Sequence, residues 1–370
     1  MHQVCRPTHF DKHQNMLMFT LGHTITTIVI GYTLISRMSA LPQHEVNRDL
    51  LVVCKASADK LRLQILGILQ HESFGVTELC QVFNVAQPNM THHLKILASA
   101  GLVQTRKEGT SVFYRRALIA DADPFSGLKQ KLYDTVDLEP VTTAVTLGVS
   151  KVHRQRAQRS QSFFARYADQ ISENQDLIAP IGSYLPTLCE WLEELPHSSS
   201  VIEIGPGESP LLSKLADQFK RVTALDHSIS MLQRARVRLN TTSSRRVRFL
   251  EADISDFDGP MVDLIVLNMV LHHLSSPSMF FRDAAKQLKP GGTLLIADLS
   301  PHKQDWARET CGDQWLGFNP VDLTHWSEDA EFTPERQSFL GLNNGFQIQL
   351  RQFRYSPTLS WSHTFRIKKE

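Results

Sequence analysis

A chain of 370 residues exceeds one ordinary domain, so two cores are expected. The formal net charge of +1 excludes a uniformly basic surface, and any nucleic-acid contact must be a local patch. The five cysteines, Cys5, Cys54, Cys80, Cys189 and Cys311, form no C-x-x-C pair, which argues against a disulfide framework and a zinc ribbon and fits a reducing cytoplasm.

The first notable stretch is MLMFTLGHTITTIVIGYTLI, residues 16–35, which lacks Asp, Glu, Lys and Arg and is about as long as a membrane span. Its threonines, glycines and histidine weaken that reading, and Met38 is able to begin a compact protein. Residues 1–37 are read as an N-terminal extension, with a membrane anchor and a peripheral helix as the alternatives. Nothing downstream is apolar enough to span.

Residues 45–120 carry the first set of elements. EVNRDLLVVCKA and SADKLRLQILGILQ place apolar residues at helical spacing, Leu61, Ile65 and Leu69 recurring every fourth residue. TELCQVF is a third short helix and NVAQ a turn. PNMTHHLKILASA is a fourth helix, with Pro88 in its first turn and Gly101 as its stop. LVQTRKEGTSVFYRRA then alternates about Glu108-Gly109 as a β-hairpin. The pattern is a winged helix-turn-helix.

At 100° per residue, Met90, Leu94, Leu97 and Ala98 form one buried stripe of the fourth helix. Asn89, His92, Lys95 and Ser99 face outward, and His93 lies on the border as a packed histidine. Metal is the least favoured reading there, because adjacent histidines on a helix diverge, whereas one ion wants an i, i+4 pair. Gln87, Asn89, Thr91 and His92 supply donors and acceptors for base edges in a major groove. Residues 87–117 hold five Lys/Arg against the single acid Glu108, so Lys95 and the wing cations Arg106, Lys107, Arg115 and Arg116 are expected on phosphates, although a solvated charged face has the same composition.

AQPNMTHHLKILASAGLVQTRKEGTSVFYR resembles the recognition helix and wing of the arsenic-repressor (ArsR/SmtB) family of bacterial dimeric repressors, over about residues 45–120. The resemblance implies a homodimer on operator DNA. Many members sense metals through a cysteine pair before the turn or through Asp and His after the wing. Here Cys80 has Val82 and Phe83 where a partner is needed, and no histidine occurs between His93 and His153. No metal site is expected, and the effector must be detected elsewhere.

Residues 121–157 read as a linker without clear periodicity that enters a helix, KVHRQRAQRSQSFFAR, with five cations and no acid. That helix is expected to pack Phe163, Phe164 and Tyr167 on the next domain, DNA backbone contact being the alternative.

Residues 158–360 form the second domain. VIEIGPGESPLLSKLA is a strand, a glycine turn and a helix, the arrangement that brings backbone amides to a cofactor. The third glycine of a dinucleotide fingerprint is missing, Glu208, Ser209 and Pro210 standing there, which disfavours NAD. Asp226 ends a second strand, where it can accept from ribose hydroxyls, and Met231 follows beside an adenine face. Asp253 follows a third strand and is placed for an adenine amino group. MVDLIVLNMVLHHL, SPSMFFRDAAKQL and KPGGTLLIADL continue the strand-helix alternation of a doubly wound, mostly parallel sheet. Residues 301–337 are expected to form a helical cover, and SFLGLNNGFQIQLRQF two closing strands.

This pattern resembles the class I S-adenosylmethionine-dependent methyltransferases over residues 160–300. The resemblance implies that Glu203, Gly205 and Gly207 hold the methionine part, Asp226 the ribose, and Asp253 with Ile254 the adenine. Asn268 is then in the loop beside the sulfonium. Each residue has a structural alternative as a strand-end cap or turn residue. No catalytic base is identified; His272 and His273 in LHHL read as structural. The expected fold is an α+β winged helix-turn-helix domain followed by an α/β, doubly wound, Rossmann-like class I methyltransferase domain. The whole resembles arsenic-repressor-like regulators that carry a methyltransferase domain and respond to S-adenosylhomocysteine. The expected function is thus a DNA-binding repressor with S-adenosylmethionine or S-adenosylhomocysteine as effector. The alternative is an active small-molecule methyltransferase with an N-terminal DNA-binding and dimerisation domain.

Overall fold

Apolar residues at helical spacing build the first core. The structure is a computed structural model that describes residues 7–11, 16–21, 24–26, 43–108, 111–167, 171–197, 199–239 and 241–357. Helices α1 (Gln43–Ser57), α2 (Lys60–Ile68), α3 (Val76–Phe83) and α4 (Gln87–Ser99) enclose Ile65, Leu66, Leu79, Met90, Leu94 and Leu97, all fully buried. Asp59 caps α2 by accepting from the Arg62 amide at 3.0 Å. Helix α3 ends at Asn84, whose φ of 53° turns the chain into α4. Strands β5 (Val103–Glu108) and β6 (Ser111–Arg116) pair antiparallel as the wing, and β4 (Phe74–Gly75) adds to β6. Ala98, expected on the buried stripe of α4, is exposed, and Ala100 is buried instead.

The expected linker is instead part of this core. Helices α5 (Ser126–Asp137) and α6 (Thr143–Tyr167) bring Tyr133, Val136, Val145 and Val152 into contact with it. The Tyr133 hydroxyl donates to the Leu102 carbonyl at 2.7 Å. On α6, Val145, Val152, Arg156 and Ser160 are buried, a stripe of seven- and four-residue spacing hidden among charged neighbours. Gly148 permits close contact with α3: a Cβ there would lie 2.8 Å from the Val82 Cα and carbonyl oxygen.

The second domain is a doubly wound sheet. Strands β7 (Ser200–Ile204), β8 (Arg221–Asp226), β9 (Val247–Glu251), β10 (Val262–Asn268), β11 (Leu288–Leu299), β12 (Phe332–Gly341) and β13 (Gln347–Tyr355) take the order β12-β13-β11-β10-β7-β8-β9. The first five in sequence are mutually parallel where they pair, and β13 runs antiparallel between β11 and β12. Two apolar layers cover its faces, one around Leu188, Leu211 and Leu215, the other around Phe281, Phe318 and Phe353. The strand order reverses between β7 and β10, which opens a crevice at their C-terminal ends. The cover is only partly helical: helix Pro320–Asp329 lies in it, but β12 begins at Phe332, inside the stretch expected to be helical, because alternating residues there pair with β13.

The domains meet around one arginine. Arg156, buried on α6, binds both Glu78 carboxylate oxygens at 2.8 and 2.6 Å and donates to the carbonyls of Ser73 at 2.9 Å and Ser275 at 2.8 Å. Its guanidinium also lies over Phe74, Phe113 and Trp315 at 5.3, 5.7 and 5.1 Å from the ring centroids. The wing docks on the second domain through Phe113 against Trp315, 5.1 Å apart, and Arg115 against Asp322 at 2.8 Å. As expected of the aromatic end of α6, Phe164 packs edge-on against His273, 4.9 Å away.

Among the described residues no helix is long and apolar enough to cross a membrane. Strands β1 (Pro7–Asp11), β2 (Met16–Leu21) and β3 (Thr24–Thr26) pair in a small sheet, and the rest of the 16–35 stretch lies outside the described residues.

Gly148→Val forces α6 away from α3. Overpacking costs about 1–3 kcal/mol, more than the roughly 0.5 kcal/mol that valine gains over glycine in helix propensity. The expected result is a lower urea midpoint at unchanged slope; an unchanged midpoint would show that the two helices have room to spare.

Candidate functional site

The crevice at the sheet's switch point holds a cavity of about 620 Å³. Gly205 and Gly207, with φ of 60° and 53°, turn the chain from β7 toward helix Leu211–Gln218. A Cβ at 205 would lie 2.6 Å from Val270 Cγ2, so only glycine lets this turn lie against the loop after β10. Asp226 ends β8 and accepts the Ser228 amide at 2.8 Å. Burial raises the pKa of its carboxyl, against the pull of His227. Met231 approaches from helix Ile229–Arg238, Asp253 and Ile254 from the 3-10 turn after β9, and Asn268 from the end of β10. Gly205, Gly207, Asp226, Met231, Asp253, Ile254 and Asn268 all line this one cavity.

Glu203 stands apart. It lies behind the lining on β7, fully buried, and neither carboxylate oxygen has a hydrogen-bond partner among the described residues. Burial alone raises its pKa well above the usual carboxylate range. Asn268 donates to Ser209 Oγ at 3.2 Å while its own oxygen is unpartnered. Buried acceptors without donors fit a site whose ligand brings N–H groups.

Sequence reasoning missed the far wall. His153, Ala157, Ser160, Gln161 and Phe164 of α6 line the cavity, as does Tyr184 from the second domain. Ser160 Oγ is buried there without a partner, and the Gln161 amide nitrogen donates to the His227 carbonyl at 3.5 Å. The signal was the buried stripe of α6, which its five cations disguised as a solvated helix.

His273 also lines the cavity, whereas His272 is enclosed behind it. His272 Nδ1 lies 2.8 Å from Asp298 Oδ1 and its Nε2 3.6 Å from Asp313 Oδ1. Burial opposes a charge on His272, but Asp298 and Asp313 outweigh it and raise its pKa to about 9. Burial, then the neighbouring His272, lowers His273 well below the ordinary histidine range. Burial pushes Asp313 up to about 6 despite His272. Two imidazoles and a carboxylate with metal-ligand chemistry converge here, a cluster that the sequence reading did not single out. In a 3-10 turn the rings of adjacent histidines come within 4.0 Å, and Asp313 arrives from the distant cover, so no local spacing announced it.

On the first domain, Gln87, Asn89, His92 and Lys95 are exposed along α4 and Thr91 is half-buried. His93 is held 3.7 Å from Asp59 and 3.4 Å from Arg62, a packed border position. Of the four wing cations, Lys107 is exposed, whereas Arg115 pairs with Asp322 at 2.8 Å, Arg116 pairs with Asp137, and Arg106 also differs from expectation. Its guanidinium donates to the Gly317 carbonyl and lies 5.7 Å from the Phe318 ring centroid, because the wing packs on the second domain.

Residues 202–296 match the family model of a methyltransferase domain, and residues 59–105 that of bacterial regulatory proteins of the arsR family. An uncharacterized HTH-type transcriptional regulator of Methanocaldococcus jannaschii is 43% identical over 63 residues, 17% of this chain and 71% of that one. An uncharacterized methyltransferase of Mycobacterium bovis is 32% identical over 98 residues, which are 26% of this chain; the chain spans 48% of that relative's length. Among solved structures, the N-methyltransferase NodS of Bradyrhizobium japonicum in complex with S-adenosyl-L-homocysteine is 23% identical, with 47% of this chain and 88% of that one covered at a TM-score of 0.38.

Glu203 supplies a pH test in the ligand-free protein. Its folded pKa is raised above the ordinary 4.5, so stability is fully present below about 4.5 and is lost as pH rises toward the folded value. Urea midpoints are expected to fall over that range in the parent and to lose this component in Glu203→Gln. Identical pH profiles would mean that the carboxylate is compensated.

Proposed function

The chain belongs, through its first domain, to the arsR family of bacterial regulatory proteins and carries a methyltransferase domain, and we propose that it is a transcriptional repressor with an adenosyl effector. In this reading a homodimer in the cytoplasm binds operator DNA, and S-adenosylmethionine or S-adenosylhomocysteine in the second domain sets its affinity. One observation carries the proposal: α6 lines the cavity with Ser160 and Phe164 and, through Arg156 and Gly148, is fixed to the helix-turn-helix. A ligand that moves α6 therefore moves α3.

Chemistry supports the choice of ligand. A cavity rimmed by Asp226 and Asp253, backed by the unpartnered Glu203 and floored by Gly205 and Gly207, suits a group with ribose hydroxyls, an exocyclic amine and an ammonium. The carboxylates disfavour a phosphorylated cofactor. Asp226 takes the ribose, Asp253 and Ile254 the adenine with Met231 against its face, and Asn268 the region of the sulfur.

The DNA surface is the exposed face of α4, with Gln87, Asn89, Thr91 and His92 toward base edges and Lys95 and Lys107 toward phosphate. With the wing docked, Arg106 is engaged by the second domain. Half-sites are expected about 34–36 Å apart, one helical turn. His92→Ala is expected to relax sequence preference, and Lys107→Ala to weaken all sequences alike and reduce the salt slope by about one. Binding that is equal for any duplex and insensitive to salt would sink the proposal.

Coupling is tested by titrating operator affinity at saturating S-adenosylhomocysteine and, separately, S-adenosylmethionine. A shift of about 1–3 kcal/mol is expected with one of them, mirrored in the ligand's affinity at saturating operator. Asp226→Ala is expected to abolish the shift while leaving ligand-free DNA binding unchanged. Tight binding of both ligands with no shift would uncouple the domains and favour methyl transfer to a small molecule.

A further inference from the structure

The cluster behind the cavity has the composition and outer support of a metal centre. His272 and His273 close the 3-10 turn Leu271–His273, and Asp313 descends from the cover. One donor atom from each lies within 4.8 Å of the other two, and all three residues are buried. His272 Nε2 and Asp313 Oδ1 are 3.6 Å apart. Four-coordinate zinc, with N and O ligands at about 2.0–2.2 Å, sets its ligands about 3.3 Å from one another, a spacing within reach of small side-chain rotations.

The surroundings are those that ligating histidines require. Such a ring directs its second nitrogen to a carboxylate or a backbone carbonyl, which fixes its tautomer and orientation. His272 Nδ1 meets Asp298 Oδ1 at 2.8 Å, and His273 Nδ1 meets the Gly312 carbonyl at 3.3 Å. His272 thereby keeps Nε2, which faces Asp313 Oδ1, for a cation. Asp313 supplies the independent sign: it is buried, and neither of its carboxylate oxygens has a hydrogen-bond partner among the described residues. The two imidazole rings beside that carboxylate lie with their centroids 4.0 Å apart. One shared dication answers all three donors at once.

We propose that His272, His273 and Asp313 bind one divalent cation of the zinc class, with Asp298 and the Gly312 carbonyl orienting the imidazoles. Two imidazoles and one carboxylate suit zinc or cobalt(II), whereas copper(I) prefers sulfur and calcium or magnesium prefers oxygen throughout. Three protein ligands leave a coordination position for water or a bound molecule. Because His273 also lines the large cavity, the ion stands at its wall. The site is independent of the adenosyl reading and of Cys80.

The test uses the full chain, stripped with a chelator and titrated with Co²⁺ and then Zn²⁺. One Co²⁺ per chain is expected, with a visible ligand-field absorption, no thiolate charge-transfer band, and displacement by Zn²⁺. Asp313→Asn is expected to weaken binding at least tenfold, and Asp298→Asn by about 10–100-fold as an orienting residue. Absence of stoichiometric binding, a thiolate band, or unchanged affinity in folded Asp313→Asn overturns the assignment. If circular dichroism shows the variants unfolded, X-ray absorption of the zinc-loaded parent decides: nitrogen and oxygen neighbours with imidazole scattering support the site, and any sulfur neighbour rejects it.

Discussion

The architecture depends on how one buried cation is satisfied. Arg156 brings a guanidinium into the junction, where an unpaired charge is strongly unfavourable, and its partners come from four parts of the chain: Ser73, Phe74 and Glu78, then Phe113, Ser275 and Trp315. Removing one member of such a buried pair typically costs about 3–5 kcal/mol, because the other charge is left behind. The helix-turn-helix, the wing and the loop after β10 are thus tied to a common point. Contacts farther out, such as Arg115 with Asp322, follow from that registration.

Helix α6 makes this tie a continuous physical link between the two cores. Its 25 residues extend about 37 Å at 1.5 Å per residue, long enough to belong to both cores. Its N-terminal half is packed on α3 with Val145 and Val152 in the first core, and its C-terminal half closes the cavity with Ser160 and Phe164. Packed helices respond to displacement by shifting between discrete arrangements rather than by bending freely. A two-state element connecting both sites is the physical requirement for coupling.

Local patterns made much of this legible. The α4 stripe of Met90, Leu94 and Leu97 and the turn after β7 follow from periodicity and glycine placement, and Asp226, Asp253 and Asn268 fall at strand ends that topology gathers into one crevice. What was obscure depends on long-range partners. The charged surface of α6 hid Arg156, whose role is defined by Glu78 and Ser275; Arg106 looked like a phosphate contact until Gly317 and Phe318 stood beside it. His272 and His273 read as structural because Asp313, which changes their chemistry, lies in a segment with no recognisable period.

The sheet order carries a consequence for synthesis on the ribosome. Strand β13, the last of the described elements to emerge, inserts between β11 and β12, so among the described strands β12 has no partner and β11 keeps an open edge until residues 347–355 are available. An unpaired apolar edge is a template for association with other chains. Since N-terminal domains fold first during translation, the DNA-binding half is complete while its companion still exposes that edge. Nascent chains paused before β13 are therefore the species that most need a chaperone.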